Sequence, residues 1–234
     1  MSLMDFGLIT GAGYAISLLL ERTGITECLY NSLQGRTSVF CGEYELLIGY
    51  SRKLLKSPIK VNMLDTPHVL IAGLSGSGKS KMIEFMLKDK QVILINAFEG
   101  DLPSLKCRRI TDNEKILNYL SSLLDNPYRR EKPLYIAIDE CLVLCRDKAI
   151  EKKIAECLAV CRHYNIFFIL ATQEATKEVM KFKNLCNTRI CMRQLEESSF
   201  HTCLGCTVED KFIRKREFYV VDNEGLRRGR TYDL

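Results

Sequence analysis

The chain has 234 residues, 47% of them hydrophobic and 27% charged, and 34 Lys+Arg against 29 Asp+Glu leave a formal net charge of +5. At roughly 150 residues per domain this length holds one full core and an appendage, and the composition excludes global disorder and fibrous repeats. The mild positive excess permits a nucleic-acid partner without demanding one. Eleven cysteines, an odd count with no secretory signal before them, argue against a disulfide scaffold and for a reducing, cytoplasmic setting.

In chain order, Phe6 to Leu20 runs without a charge, but it is shorter than the roughly 20 residues a membrane-spanning helix needs. Met1 to Asp5 lacks the basic start of a signal peptide. Leu8, Ala12, Ala15 and Leu19 repeat at helical spacing, so a core-docked or amphipathic helix is favoured over membrane association. It forms the heart of an N-terminal appendage over 1–42, ahead of a main domain over 43–234. Tyr44 to Tyr50 and Ile59 to Leu64 predict a strand pair around the basic turn Arg52, Lys53 and Lys56. His68 to Ala72 predicts a buried strand, followed by a Gly-rich turn and a helix over Lys79 to Lys88. Next come a strand over Gln91 to Asn96, a helix over Thr111 to Leu124, a strand over Leu134 to Ile138 and a long helix over Lys148 to Tyr164. Strands over Ile166 to Leu170 and Asn187 to Met192 complete the pattern. Near-continuous apolar strands alternating with helices define an α/β fold with a mostly parallel sheet covered on both faces.

The cysteines divide into two groups. Cys141/Cys145 and Cys157/Cys161 stand at i,i+4 in apolar stretches, where a reduced thiol packs as a small hydrophobe. His201, Cys203 and Cys206, with Cys186 and Cys191 upstream, supply one C-x-x-C where structural zinc uses two such pairs, so packing is preferred to zinc here too.

Gly73-Leu-Ser-Gly-Ser-Gly78-Lys79-Ser80 matches G-x-x-x-x-G-K-[ST] at every fixed position and lies between a predicted strand and a predicted helix. Such a Walker A loop turns successive backbone N–H groups inward at a helix N-terminus and makes a phosphate nest. The expected nucleotide-binding set is Gly73, Leu74, Ser75, Gly76, Ser77, Gly78, Lys79, Ser80 and Lys81. Lys79 reaches the β- and γ-phosphates of ATP, and Ser80 ligates Mg²⁺. Asp139, closing the third parallel strand, is the expected Walker B partner of that Mg²⁺. Glu140 beside it can take a proton from an attacking water, which suits hydrolysis better than phosphoryl transfer to a sheltered acceptor. Gln173, in Ala171-Thr172-Gln173 after the next strand, can reach the γ-phosphate or that water.

The order of these motifs resembles the motor domain of FtsK/SpoIIIE-type DNA translocases, a branch shared with HerA-like ATPases and the type IV coupling proteins of conjugation. Four stretches carry the likeness: Pro67 to Ser80, Tyr135 to Glu140, Cys161 to Gln173, and Asn187 to Arg193, within a span of about Glu43 to Asp222. The resemblance implies a RecA-like core assembled in a hexameric ring, with ATP hydrolysis moving duplex DNA through the channel. It also implies an arginine donated in trans to each site, for which Arg162 and Arg189 are the candidates, with Arg193 behind them. The chain departs from the family at Asn96 to Asp101, where Asp-Pro-Lys is typical, and it has no room for full-size anchoring or DNA-reading modules. The minimal architecture suggests service to a mobile element, plasmid or phage, with a protein partner to recruit the motor.

DNA contact is expected from Lys211, Arg214, Lys215, Arg216, Arg227, Arg228 and Arg230 near the C-terminus and from the cluster Arg52, Lys53 and Lys56. The alternatives are a P-loop kinase of a nucleotide or small molecule, and a non-motor adaptor switched by nucleotide. Asp139-Glu140 and the Ala-Thr-Gln segment speak against the kinase.

Overall fold

The computed structural model of the chain describes residues 41–51, 57–95, 102–173, 175 and 179–231. The expected N-terminal helix, the basic turn Arg52 to Lys56 and the Asn96 to Asp101 departure fall outside these residues.

Among the described residues, ten strands form one sheet in the order β2-β1-β10-β9-β8-β3-β7-β6-β4-β5. Six are mutually parallel: β3 (Val69–Ala72), β4 (Val92–Ile95), β5 (Arg108–Ile110), β6 (Leu134–Ile138), β7 (Ile166–Thr172) and β8 (Thr188–Met192). Side chains alternate between the faces. Leu70 and Ala72 thus enter one core with Ile136, Ile138, Phe168 and Leu170, while Val69 and Ile71 enter the other with Tyr135, Ala137, Phe167 and Ile169. The first core is closed by α2 (Asn113–Asp125), α4 (Lys148–Val160) and α5 (Glu197–Leu204), and the second by α1 (Lys79–Leu87). A single turn, α3 (Cys141–Leu144), follows β6.

Local chemistry sets the ends of the helices. Asp112 caps α2 by accepting from the Lys115 amide, which starts the helix two residues later than Thr111. Asp147 caps α4 in the same way, accepting from Ala149 and Ile150. The long helix expected to reach Tyr164 ends at Val160. A 3-10 turn, Cys161–Tyr164, and left-handed Asn165 (φ 58°) take over from there.

The other four strands extend the sheet antiparallel. β1 (Glu45–Ser51) pairs with β2 (Pro58–Asn62) as expected, and both join the parallel strands through a hairpin of β9 (Glu217–Asp222) and β10 (Gly225–Arg230). That hairpin carries Arg227, Arg228 and Arg230 of the C-terminal basic cluster. Arg227 pairs with Asp222 and Glu224, and Arg228 with Asp210 (2.9 Å) and Glu217 (3.1 Å). Lys211 pairs with Glu197. Arg227 and Arg228 are therefore ion-paired and only partly exposed, while Lys211, Arg214 and Lys215 stay at the surface. Close packing accounts for two glycines: a Cβ on Gly49 would lie 2.4 Å from the Arg230 carbonyl oxygen and 2.8 Å from the Phe218 ring, and one on Gly229 2.6 Å from Ile59 Cδ1 and 2.7 Å from that ring. Only bare backbone lets β1 and β10 pass so close beneath the ring.

Cys141, Cys157, Cys161, Cys186, Cys191 and Cys203 are buried, and the Cys203 thiol donates to the Ile190 carbonyl at 3.6 Å, while His201 is exposed on α5. Among the described residues no helix is long and apolar enough to cross a membrane.

Candidate active site

Parallel strands deliver their carboxyl ends to one edge, and the site is built there from β3, β6, β7 and β8. β3 is set by His68, which is 1% exposed and left-handed (φ 63°), its Nδ1 accepting from the Phe168 amide at 3.0 Å. Burial pushes the imidazole down to about 4, the Leu158 carbonyl offsetting only part of the shift, so the ring is neutral.

The Walker A loop is tied to the strands on either side of β3. The Gly73 amide donates to the Thr172 carbonyl (3.2 Å) at the end of β7, and the Leu74 amide to the Arg193 carbonyl (3.0 Å) past the end of β8. A Cβ at Gly73 would come within 2.8 Å of both Met192 Cβ and Ser77 Oγ, so the first glycine is dictated by space. Gly76 (φ 73°) and Gly78 (φ 112°) are dictated by backbone conformation. Gly78 caps α1 without a side-chain capping hydrogen bond among the described residues. The amides of its first turn and the helix dipole favour an anion. Ser75, Gly76 and Ser80 are exposed there, Ser77 is buried, and the Lys81 ammonium turns aside to Glu84 (2.8 Å).

Lys79 is 7% exposed, and its Nζ donates to the Gly73 (2.7 Å) and Leu74 (3.2 Å) carbonyls, spanning the loop. Burial lowers its pKa, against the opposing pull of Glu140 and Asp139. Asp139 ends β6, 8% exposed, and accepts from the Glu140 amide (3.1 Å). Glu140 itself is left-handed (φ 50°), and the Gln173 Nε2 donates to its Oε1 at 2.6 Å. A buried ammonium, two adjacent carboxylates and a carboxamide thus converge at the mouth of a phosphate nest. The Ser80 hydroxyl and the Asp139 carboxylate are hard oxygen donors that suit Mg²⁺ alongside phosphate oxygens.

The arginines lie apart from this cluster. Arg162 is exposed in the 3-10 turn before β7, and Gln173 follows that strand's far end. Seven residues of β7 at about 3.3 Å each separate them by roughly 23 Å. Arg189 sits near the start of β8, half-buried, its guanidinium beside Gly205 at the carboxyl end of α5. Arg193, exposed beyond the end of β8, is next to the loop through its carbonyl. One neighbour was expected from sequence only as a DNA contact: Arg216, in the segment leading into β9, whose amide donates to the Ser77 carbonyl at 2.8 Å.

No protein-family profile matches the chain. The DNA translocase FtsK of Staphylococcus epidermidis is 23% identical over 236 aligned residues, which cover 79% of this chain and 30% of that protein. The chain is similar to the FtsK translocases. It spans about 30% of the length of the FtsK proteins it matches. Among solved structures, the pCW3 conjugation coupling protein TcpA in monomer form with ATPγS superposes with a TM-score of 0.71 at 17% identity, covering 83% of this chain and 67% of that one. EssC (ATPases 2 and 3) from Geobacillus thermodenitrificans gives 0.66 at 16% identity, covering 83% and 46%. These likenesses establish the fold, an α/β domain with a mostly parallel sheet flanked by helices.

Proposed function

We propose that this chain is an ATP-driven motor that hydrolyses ATP to move DNA. The observation that carries the reading is the 2.6 Å hydrogen bond from Gln173 to Glu140 beside the Walker A loop. It joins a general base to a residue able to sense its state, as hydrolysis requires and as a kinase does not.

In this reading the loop amides and α1 hold the triphosphate, and Lys79 leaves the loop carbonyls for the β- and γ-phosphates. Ser80 and Asp139 would hold Mg²⁺, which when bound neutralises phosphate charge. Glu140 accepts a proton from water as its oxygen attacks the γ-phosphorus and the bond to ADP breaks. Gln173 follows the change at Glu140 and passes it to the segment after β7. An arginine from a second copy completes the site, with exposed Arg162 preferred to half-buried Arg189. The assembly is a ring, a hexamer by analogy with the family, acting on duplex DNA without sequence preference, in the service of a mobile element, plasmid or phage. A recruiting protein partner belongs to the same proposal.

Phosphate release measured with and without duplex DNA over a salt series tests it. DNA should stimulate turnover most at low salt, and Lys79→Ala and Glu140→Gln should lower hydrolysis at least 100-fold. Turnover indifferent to DNA at every salt concentration would remove the motor reading, and normal hydrolysis by Glu140→Gln would remove the base.

A further inference from the structure

The turn Arg214 to Glu217 is built more rigidly than a surface turn requires. The Arg214 amide donates to Glu217 Oε2 (3.0 Å) and the Glu217 amide returns to the Arg214 carbonyl (3.1 Å). Glu217 is 2% exposed, and its Oε2 also takes Arg228 Nη2 at 3.1 Å. Between them, Arg216 is fixed from both sides. Its amide donates to the Walker A residue Ser77, and its carbonyl accepts from the Thr231 amide at 3.0 Å, just past β10.

Arg216 holds a left-handed backbone (φ 68°), a conformation that is unfavourable for a residue with a side chain and that glycine adopts freely. The stem of its side chain lies against the residue capping α1: a Cβ at Gly78 would meet Arg216 Cγ at 3.0 Å. The side chain is half-buried there, flanked by exposed Arg214 and Lys215. A planar, always-charged fork on a strained and doubly anchored backbone, at the rim of a phosphate nest, fits recognition of phosphate oxygens.

We propose that Arg216 is a nucleotide-binding residue, its guanidinium contacting the phosphate chain of bound ATP, and that the β9–β10 hairpin forms a wall of the nucleotide site. The proposal rests on the P-loop reading above. The informative variant is Arg216→Gly. Glycine suits the backbone and keeps both main-chain hydrogen bonds, so the loss is confined to the side chain, its stem beside Gly78 and its guanidinium.

Equilibrium binding of ATPγS should weaken about tenfold in Arg216→Gly, the loss of one charge-assisted hydrogen bond. The KM for ATP should rise in parallel, with kcat at saturation little changed and the unfolding temperature equal or higher. Arg216→Lys should recover part of the affinity. Wild-type ATPγS affinity in Arg216→Gly, with Lys79→Ala abolishing hydrolysis, would overturn the proposal and leave the P-loop reading intact. A fall in kcat and unfolding temperature without a rise in KM would also overturn it, because bracing of the loop would then be the whole role. If Lys79→Ala bound and hydrolysed ATP normally, both readings would fall together.

Discussion

Besides Arg216, Glu140 and His68 hold a left-handed backbone in the site region without being glycine, and each stores a measurable cost. Glu140 (φ 50°) gives up on the order of 1 kcal/mol to turn its carboxylate toward Gln173. Glu140→Gly should therefore unfold at the same or a slightly higher temperature by calorimetry while phosphate release drops at least 100-fold. His68 (φ 63°) is held neutral down to about pH 4. The unfolded chain takes up that proton near pH 6.5 and the native chain does not, so stability is full above pH 6.5 and is lost as the pH falls toward 4. Between pH 7.5 and 5 the loss should be about 2 kcal/mol in urea unfolding. His68→Asn, which can accept from the Phe168 amide and tolerates the same backbone, should flatten that stretch of the curve. Gly73, Lys79, Ser80, Asp139, Glu140 and Gln173 were all legible in the sequence, because each sits at a fixed offset from a strand end. Arg216 was legible only as one more basic residue, since its meeting with Ser77 depends on a strand pairing far along the chain.

The same division runs through the elements. Buried parallel strands announce themselves by unbroken apolar runs, and β3, β6 and β7 lie where those runs predict. The β9–β10 hairpin was hidden because Arg227, Arg228 and Arg230 read as a charge cluster. Its own signals were present in the aromatic and β-branched run of Glu217–Asp222 and in the turn Asn223-Glu224 with left-handed Gly225 (φ 91°). β5 has only three residues, two of them arginine, and α5 is polar enough to draw notice as a metal site first. The hairpin depends on ion pairs that sit partly inside. Arg228→Met would leave the carboxylate of Glu217, whose side chain is 3% exposed, without its guanidinium and should cost about 3 kcal/mol in chemical unfolding. That variant should weaken ATP binding through the displaced turn as well as lower stability.

At the scale of the whole molecule, Lys79 and Arg162 lie at opposite edges of the sheet, so one copy of this FtsK-like chain does not bring both to one phosphate. Lys79→Ala and Arg162→Ala should each be nearly inactive alone. Mixing the two proteins should restore hydrolysis above either, because some interfaces then pair an intact loop with an intact arginine. No recovery on mixing, with assembly verified by mass, would remove Arg162 from the trans role. The sheet order holds one more consequence. β1 and β2 leave the ribosome first, yet their link to the parallel strands, β10, is made last, as is Thr231, which anchors Arg216 beside the Walker A loop. Synthesis therefore orders the assembly of the sheet: a nascent chain stalled before residue 225 has every motif of the Walker loop and strand, but β1 and β2 cannot join the parallel strands until β10 has been made.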